Sequence, residues 1–105
     1  MTSSHCADVR ITNRLGMHAR PAAQFVRRSA LFGCEVYVAR DGVEVNGKSI
    51  MGVMMLAAER GATIRIRAEG DDAAEAVRTL VELVERGFDE DDEGRPTHVA
   101  AEDAR

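Results

Sequence analysis

Cys34-Glu35-Val36-Tyr37-Val38-Ala39-Arg40-Asp41-Gly42-Val43-Glu44-Val45-Asn46-Gly47 reads as two short strands folded back on each other. Side chains alternate across a strand, so Cys34, Val36 and Val38 share the inward face of a segment running 34–40. Asp41-Gly42 is the dipeptide that a two-residue hairpin turn favours. Val43-Glu44-Val45 then makes a short return strand, closed by Asn46-Gly47. Short alternating strands of this kind predict a sheet with one wet face and one covered face.

On the N-terminal side, the segment 6–13 alternates Ala7, Val9 and Ile11 against Asp8, Arg10 and Thr12, a half-buried strand. Asn13-Arg14-Leu15-Gly16-Met17 reads as a loop, with Gly16 free to take a left-handed backbone angle. A helix is predicted over 19–32, because Ala22, Phe25, Val26 and Ala30 recur at helical spacing. Pro21 fits only its first turn, which places the start at or just after His18. Gly33 is the expected stop.

On the C-terminal side, Ser49 is placed to cap a helix over 50–60 that ends at Gly61. The segment 62–69 is a fourth strand, with Ile64 and Ile66 alternating against Arg65 and Arg67. Gly70-Asp71-Asp72 opens a last amphipathic helix whose inward stripe is Ala73, Ala76, Val77, Leu80 and Val84. Glu82 and Arg86 form an i,i+4 pair outside. The order βαββαβα predicts an α+β fold of two layers. Residues 1–87 form its one domain. From 88 to 105 the periodicity stops and an acidic, solvated and disordered tail is expected.

The charge divides in the same way. Of the 105 residues, the last 18 hold seven acids and two arginines, whereas the first 87 hold twelve bases and eleven acids. The net charge of −4 therefore belongs to the tail. Neither part offers the dense basic face that nucleic acid requires. No apolar run approaches the roughly 18 residues of a membrane span, and the first residues lack the order of a secretory signal. The expectation is a cytoplasmic protein without membrane insertion. Cys6 and Cys34 form no disulfide or zinc framework and read as small buried hydrophobes. His5 beside Cys6 lacks further metal ligands, so neither a metal nor a cofactor is expected.

The chemistry concentrates in Gly16-Met17-His18-Ala19-Arg20-Pro21-Ala22-Ala23. His18 stands at a helix entrance, where amide groups and the helix dipole favour an anion. Arg20, two residues on, can set a guanidinium beside a phosphate. A neutral imidazole nitrogen is a competent nucleophile near neutral pH. Two readings fit these residues about equally: a histidine that merely caps a helix, and one that accepts a phosphoryl group.

The segment Ile11-Thr12-Asn13-Arg14-Leu15-Gly16-Met17-His18-Ala19-Arg20-Pro21-Ala22 closely resembles the active-site segment of the HPr family, the histidine-containing phosphocarriers of the bacterial phosphoenolpyruvate-dependent phosphotransferase system. Gly47-Lys48-Ser49-Ile50-Met51-Gly52-Val53-Met54-Met55-Leu56 resembles the family's regulatory-serine segment. Glu69-Gly70-Asp71-Asp72-Ala73 is similar to its last strand-to-helix turn. The likeness covers residues 7–87 and runs in the family's order. It implies an open-faced sheet of four antiparallel strands covered on one face by three helices. It further implies that His18 is phosphorylated on Nδ1 by enzyme I, that Arg20 steadies the phosphate, and that an EIIA-type acceptor receives it. The protein would then be a carrier and not an enzyme, with its partners supplying catalysis.

The helix after Ser49 is apolar all round, and a domain this small cannot easily bury all of it. Ile50, Met51 and Met54 are expected to form an exposed docking patch, adaptable because methionine repacks easily. Ala19 and the outward Arg27 are expected to border it, Arg27 as a basic rim for acidic partners. The resemblance implies phosphorylation of Ser49 by an HPr kinase/phosphorylase. Two features depart from the family: the tail, and Leu15 where several members carry a polar residue. A monomer is expected. The competing reading is a regulatory interaction module of the same relay that binds partners without carrying phosphate, and the presence of His18 with Arg20 argues against it.

Overall fold

Branched residues alternating with charged ones set the sheet. The computed structural model describes residues 3–91 and 95. Strands β1 (Ser4–Arg10), β2 (Glu35–Arg40), β3 (Val43–Asn46) and β4 (Thr63–Glu69) form one sheet in the spatial order β1-β4-β2-β3. Every neighbouring pair is antiparallel. Strand β4 lies between β1 and β2, with Ile66 opposite both Ala7 and Val38. At the hairpin, Arg40 faces Val43, and Asp41 (φ 52°) and Gly42 (φ 85°) are both left-handed, the type I′ geometry that Asp-Gly favours.

Three helices cover the apolar face: α1 (Ala19–Ser29), α2 (Ile50–Met55) and α3 (Ala73–Glu85). The expected α3 stripe, Ala73, Ala76, Val77, Leu80 and Val84, is buried together with Leu83. It packs on β1 and β4, while α1 lies against α2 and α3. Phe25, Val36, Val38, Val53, Ile64 and Ile66 are among the other residues of the core. The other sheet face is wet and lined with ion pairs. Arg65 Nε donates to Asp8 at 2.8 Å, and Arg67 bridges Glu44 and Glu69 while its guanidinium stacks 4.2 Å above the Tyr37 ring.

The two cysteines part company. Cys34 is buried, and its thiol is pushed up to about 11 by that burial and by the neighbouring Asp72 carboxylate. Cys6 is exposed, which corrects the expectation of a buried residue. Parity gives the reason: Ala7, Val9 and Ile11 turn inward, so Cys6 must turn out.

Several details of the helices depart from the predicted ones. Helix α1 stops at Ser29, with Ser29 buried and Ala30 exposed. Helix α2 stops at Met55, five residues early. The guanidinium of Arg40 donates to the carbonyls of Leu56 (3.2 Å) and Ala57 (2.7 Å), and Ala57 turns left-handed at φ 50°. The outer pair of α3 also differs, because Arg86 Nε donates to Asp89 at 3.2 Å.

The boundary at residue 87 is corrected too. Gly87–Asp89 is a turn in which Gly87, Phe88 and Asp89 all have positive φ. It drives Phe88 into the core with no exposure at all. An aromatic ring removes too much apolar surface from water to stay in a solvated tail. Beyond residue 91, the expected acidic tail falls, Arg95 apart, outside the described residues.

Candidate functional site

The loop before α1 is held by one glycine. Gly16 stands at φ 69°, and a Cβ there would lie 2.5 Å from the carbonyl oxygen of Ala58. That close approach lets the Met17 N–H donate to the same oxygen at 2.8 Å, pinning the loop to the segment that follows α2. The His18 N–H turns back onto the Gly16 carbonyl at 2.9 Å. His18 is thereby left extended, at φ −84° and ψ −169°, as the N-cap of α1.

At that entrance the Ala22 N–H donates to the His18 carbonyl at 3.0 Å. The first-turn amides of Ala19 and Arg20 precede this bond and have no intrahelical acceptor, while Pro21 has no N–H to place. The helix is therefore positive at the end where His18 stands. The imidazole is one-third exposed. Ala19 and Arg20 are exposed on the same turn, and Pro21 and Ala22 anchor it from beneath.

A residue that the sequence reading placed in the tail completes the site. The side chain of Glu90 is only 1% exposed, and His18 Nε2 lies 3.1 Å from its Oε2 and 3.3 Å from its Oε1. Asn13 Nδ2 donates to the same Oε1 at 3.0 Å and to the Gly16 carbonyl at 2.9 Å. Gln24 Nε2 donates to the carbonyl of Phe88 at 3.3 Å, tying the turn to α1. The signal for Glu90 lay in Gly87-Phe88: a glycine after a helix, followed by a bulky apolar residue, is how a chain turns back onto a core. The acidic run that follows concealed it.

The remaining predicted residues stand on the neighbouring helix or further along α1. Ser49 caps α2, its Oγ accepting the Gly52 N–H at 3.1 Å, as its position implied. Ile50, Met51 and Met54 are 43%, 75% and 40% exposed, so α2 does present apolar surface; Met55 adds to it, and Leu15 is exposed on the loop before α1. Arg27 is exposed two turns along α1. Lys48 is tied back, its Nζ donating to the Phe32 carbonyl at 2.9 Å. Among the described residues no cluster of His, Cys, Asp and Glu could hold a metal ion, and no helix is long and apolar enough to cross a membrane.

Residues 6–86 match the family described as PTS HPr component phosphorylation site. The phosphocarrier protein HPr of Neisseria meningitidis serogroup A is 45% identical over 82 residues, 78% of this chain and 92% of that one. The HPr of Pseudomonas aeruginosa is 46% identical over 84 residues, 79% of this chain and 93% of that one. Among solved structures, HPr-C-His from Thermoanaerobacter tengcongensis superposes with a TM-score of 0.80 at 42% identity, covering 83% of this chain and 98% of that one. A four-stranded antiparallel sheet covered on one face by three helices thus has its counterpart in sequence and in fold, and the chain belongs to the HPr family of phosphotransferase-system phosphocarriers.

Proposed function

We propose that this protein accepts a phosphoryl group on His18 from phosphorylated enzyme I and passes it to EIIA-type acceptors in the cytoplasm. The observation that carries this reading is the placement of a partly exposed imidazole at the positive end of α1, with Nε2 engaged by Glu90. With Nε2 occupied, Nδ1 is the nitrogen left to act. Its lone pair forms the new N–P bond as the bond from phosphorus to the donor breaks. The phosphoryl oxygens gain the first-turn amides and the Arg20 guanidinium. A single arginine and a helix end stabilise the phosphate modestly, which suits a cargo that must leave again. Transfer needs mainly positioning and charge compensation, and the partner supplies what the carrier lacks.

Around this centre, Ala19, Arg27, Ile50, Met51 and Met54 form the docking surface for both partners, apolar in the middle and basic at one side. Ser49 is the regulatory site for an HPr kinase/phosphorylase. A phosphate on its Oγ would meet the N-terminus of α2 and put nearly two negative charges beside that surface. The carrier acts as a monomer and uses no cofactor or metal.

The test is incubation with enzyme I and radiolabelled phosphoenolpyruvate. Acid-labile, base-stable label is expected on the natural protein and absent from His18→Ala. Absence of label from both, with enzyme I shown to be active, would overturn the reading and leave an interaction module in its place.

A further inference from the structure

We propose that Asn13 and Glu90 form a brace that fixes His18 with its proton on Nε2 and its ring turned so that Nδ1 faces outward as the phosphoryl acceptor. This rests on the phosphoacceptor reading of His18 and adds two positioning residues to it, neither of them in contact with the phosphoryl group.

Two segments distant in sequence meet here: the loop that leads into the N-cap of α1, and the left-handed turn after α3. Asn13 is 6% exposed, and both groups facing its amide nitrogen, the Gly16 carbonyl and the Glu90 carboxylate, can only accept. Its NH2 must therefore point toward them, since the flipped amide would set its oxygen against two acceptors. Glu90 Oε1 is held by that NH2, and the carboxylate as a whole accepts from His18 Nε2. An ionised carboxylate can only accept, so its contact with Nε2 selects the ring form that carries a proton there, and in the neutral imidazole this leaves the lone pair on Nδ1. Among the described residues nothing hydrogen-bonds Nδ1.

The chain takes up strain to make this contact. Phe88 and Asp89 both adopt left-handed angles, at φ 58° and φ 57°, which side-chain-bearing residues rarely do. Phe88 is anchored in the core and Gln24 grips its carbonyl, so the residue that follows by two positions is delivered beside the imidazole and buried there. A carboxylate whose only service was solubility would sit in water.

The chemistry benefits in both directions. When Nδ1 attacks phosphorus it keeps no proton of its own to shed, and Nε2 retains its hydrogen. The ring thus becomes a cationic phosphoimidazole, its charge facing the Glu90 carboxylate. The same cationic ring is the better leaving group when the phosphoryl moves to the acceptor, and the electron pair returns to Nδ1. No base and no further reactant is needed.

The experiment uses the full chain, uniformly 15N-labelled and unphosphorylated. The His18 Nε2–H proton is expected as a hydrogen-bonded, slowly exchanging resonance. It should be lost in Glu90→Ala and weakened in Asn13→Ala and in the near-isosteric Glu90→Gln. The rate of His18 labelling by enzyme I should fall about tenfold to a hundredfold in Glu90→Ala, the scale on which small misplacements of a reacting group act. The double variant should lose little more than Glu90→Ala alone, because the two residues act as one unit. Urea unfolding of each variant separates misfolding from mispositioning, and Glu90→Gln keeps the test open if Glu90→Ala unfolds. An Nε2–H signal unchanged by Glu90→Ala and by Glu90→Gln, or labelling rates equal to the natural protein's, overturns the brace. Failure of the natural protein to take label overturns the phosphoacceptor reading instead, and the resonance still decides whether the brace exists.

Discussion

The carbonyl of Ala58 occupies the space where a side chain on Gly16 would begin, 2.5 Å from an ideal Cβ. Two conditions therefore exclude every other residue at this position: the left-handed φ of 69° and backbone on the far side that cannot retreat. Gly16→Ala is expected to cost about 2 kcal/mol or more in stability, the sum of conformational strain and steric displacement. Because the Gly16 carbonyl also accepts the His18 N–H and the Asn13 amide, labelling of His18 should suffer even in the fraction that folds. Urea titration and enzyme I-dependent labelling, run on the same preparation, check both effects.

Phe88 has no exposed surface, whereas a tail beginning at residue 88 would leave it in water. Phe88→Ala should destabilise the protein by about 3–5 kcal/mol, the usual cost of emptying a buried aromatic site. A chain ending at Gly87 should lose as much, and should lose the His18–Glu90 contact with it. Denaturant midpoints of the two variants against the natural chain decide the matter, and unchanged midpoints would return Phe88 to the solvent.

What the sequence revealed and what it concealed follow one division. Asp41-Gly42 dictated a hairpin because its turn chemistry is local, and both residues adopt the left-handed angles expected. Pro21 located the start of α1, since proline fits only a first turn. Ser49 announced a cap that depends on a bond three residues away. The end of α2 was not legible: an arginine sixteen residues earlier intercepts the carbonyls that would have continued the helix. Nor was Glu90, whose contact with His18 spans 72 positions. Periodicity reports which face a residue takes within its own element. It carries no information about which distant side chain will close a helix or press against a ring.

Asp72 links the turn before α3 to the start of β2. Its carboxylate accepts the Gly33 N–H at 2.9 Å and the Cys34 N–H at 3.1 Å, and these bonds hold its pKa below the ordinary 3.8. A group whose pKa is lower folded than unfolded adds stability above the unfolded value, and the gain disappears as pH falls through the folded one. Asp8 and Glu44, held down by Arg65 and Arg67, act in the same sense. The melting temperature should thus fall steeply below about pH 4. In Asp72→Asn the fall should be shallower and the plateau at neutral pH lower, which thermal melts across pH 2–7 would reveal.

Ser49 separates a structural role from a regulatory one. Ser49→Ala removes the acceptor for the Gly52 N–H and should cost about 1 kcal/mol, the usual value of an N-cap. Aspartate caps as well as serine, so Ser49→Asp should keep that stability. It nevertheless brings a negative charge to the proposed docking surface, so its KM for enzyme I should rise while the maximal rate of His18 labelling holds. Equal KM values for Ser49→Asp and the natural protein would show that charge at this position does not govern docking.

Met51 gives the docking surface its most direct test. Its side chain is 75% exposed on α2, so the fold gains little from it, and Met51→Glu should change stability by no more than about 0.5 kcal/mol. An apolar residue that fits a partner is worth far more once buried there, about 1.5–3 kcal/mol for a side chain of this size. A carboxylate in its place would have to be desolvated against an apolar partner, at further cost. The KM for enzyme I should accordingly rise at least tenfold while the melting temperature stays where it was. Arg27→Glu, on the basic side of the same surface, should instead slow association in a way that high salt erases. If neither variant changes the labelling kinetics, the exposed methionines of α2 face solvent throughout transfer, and the proposed docking surface is overturned.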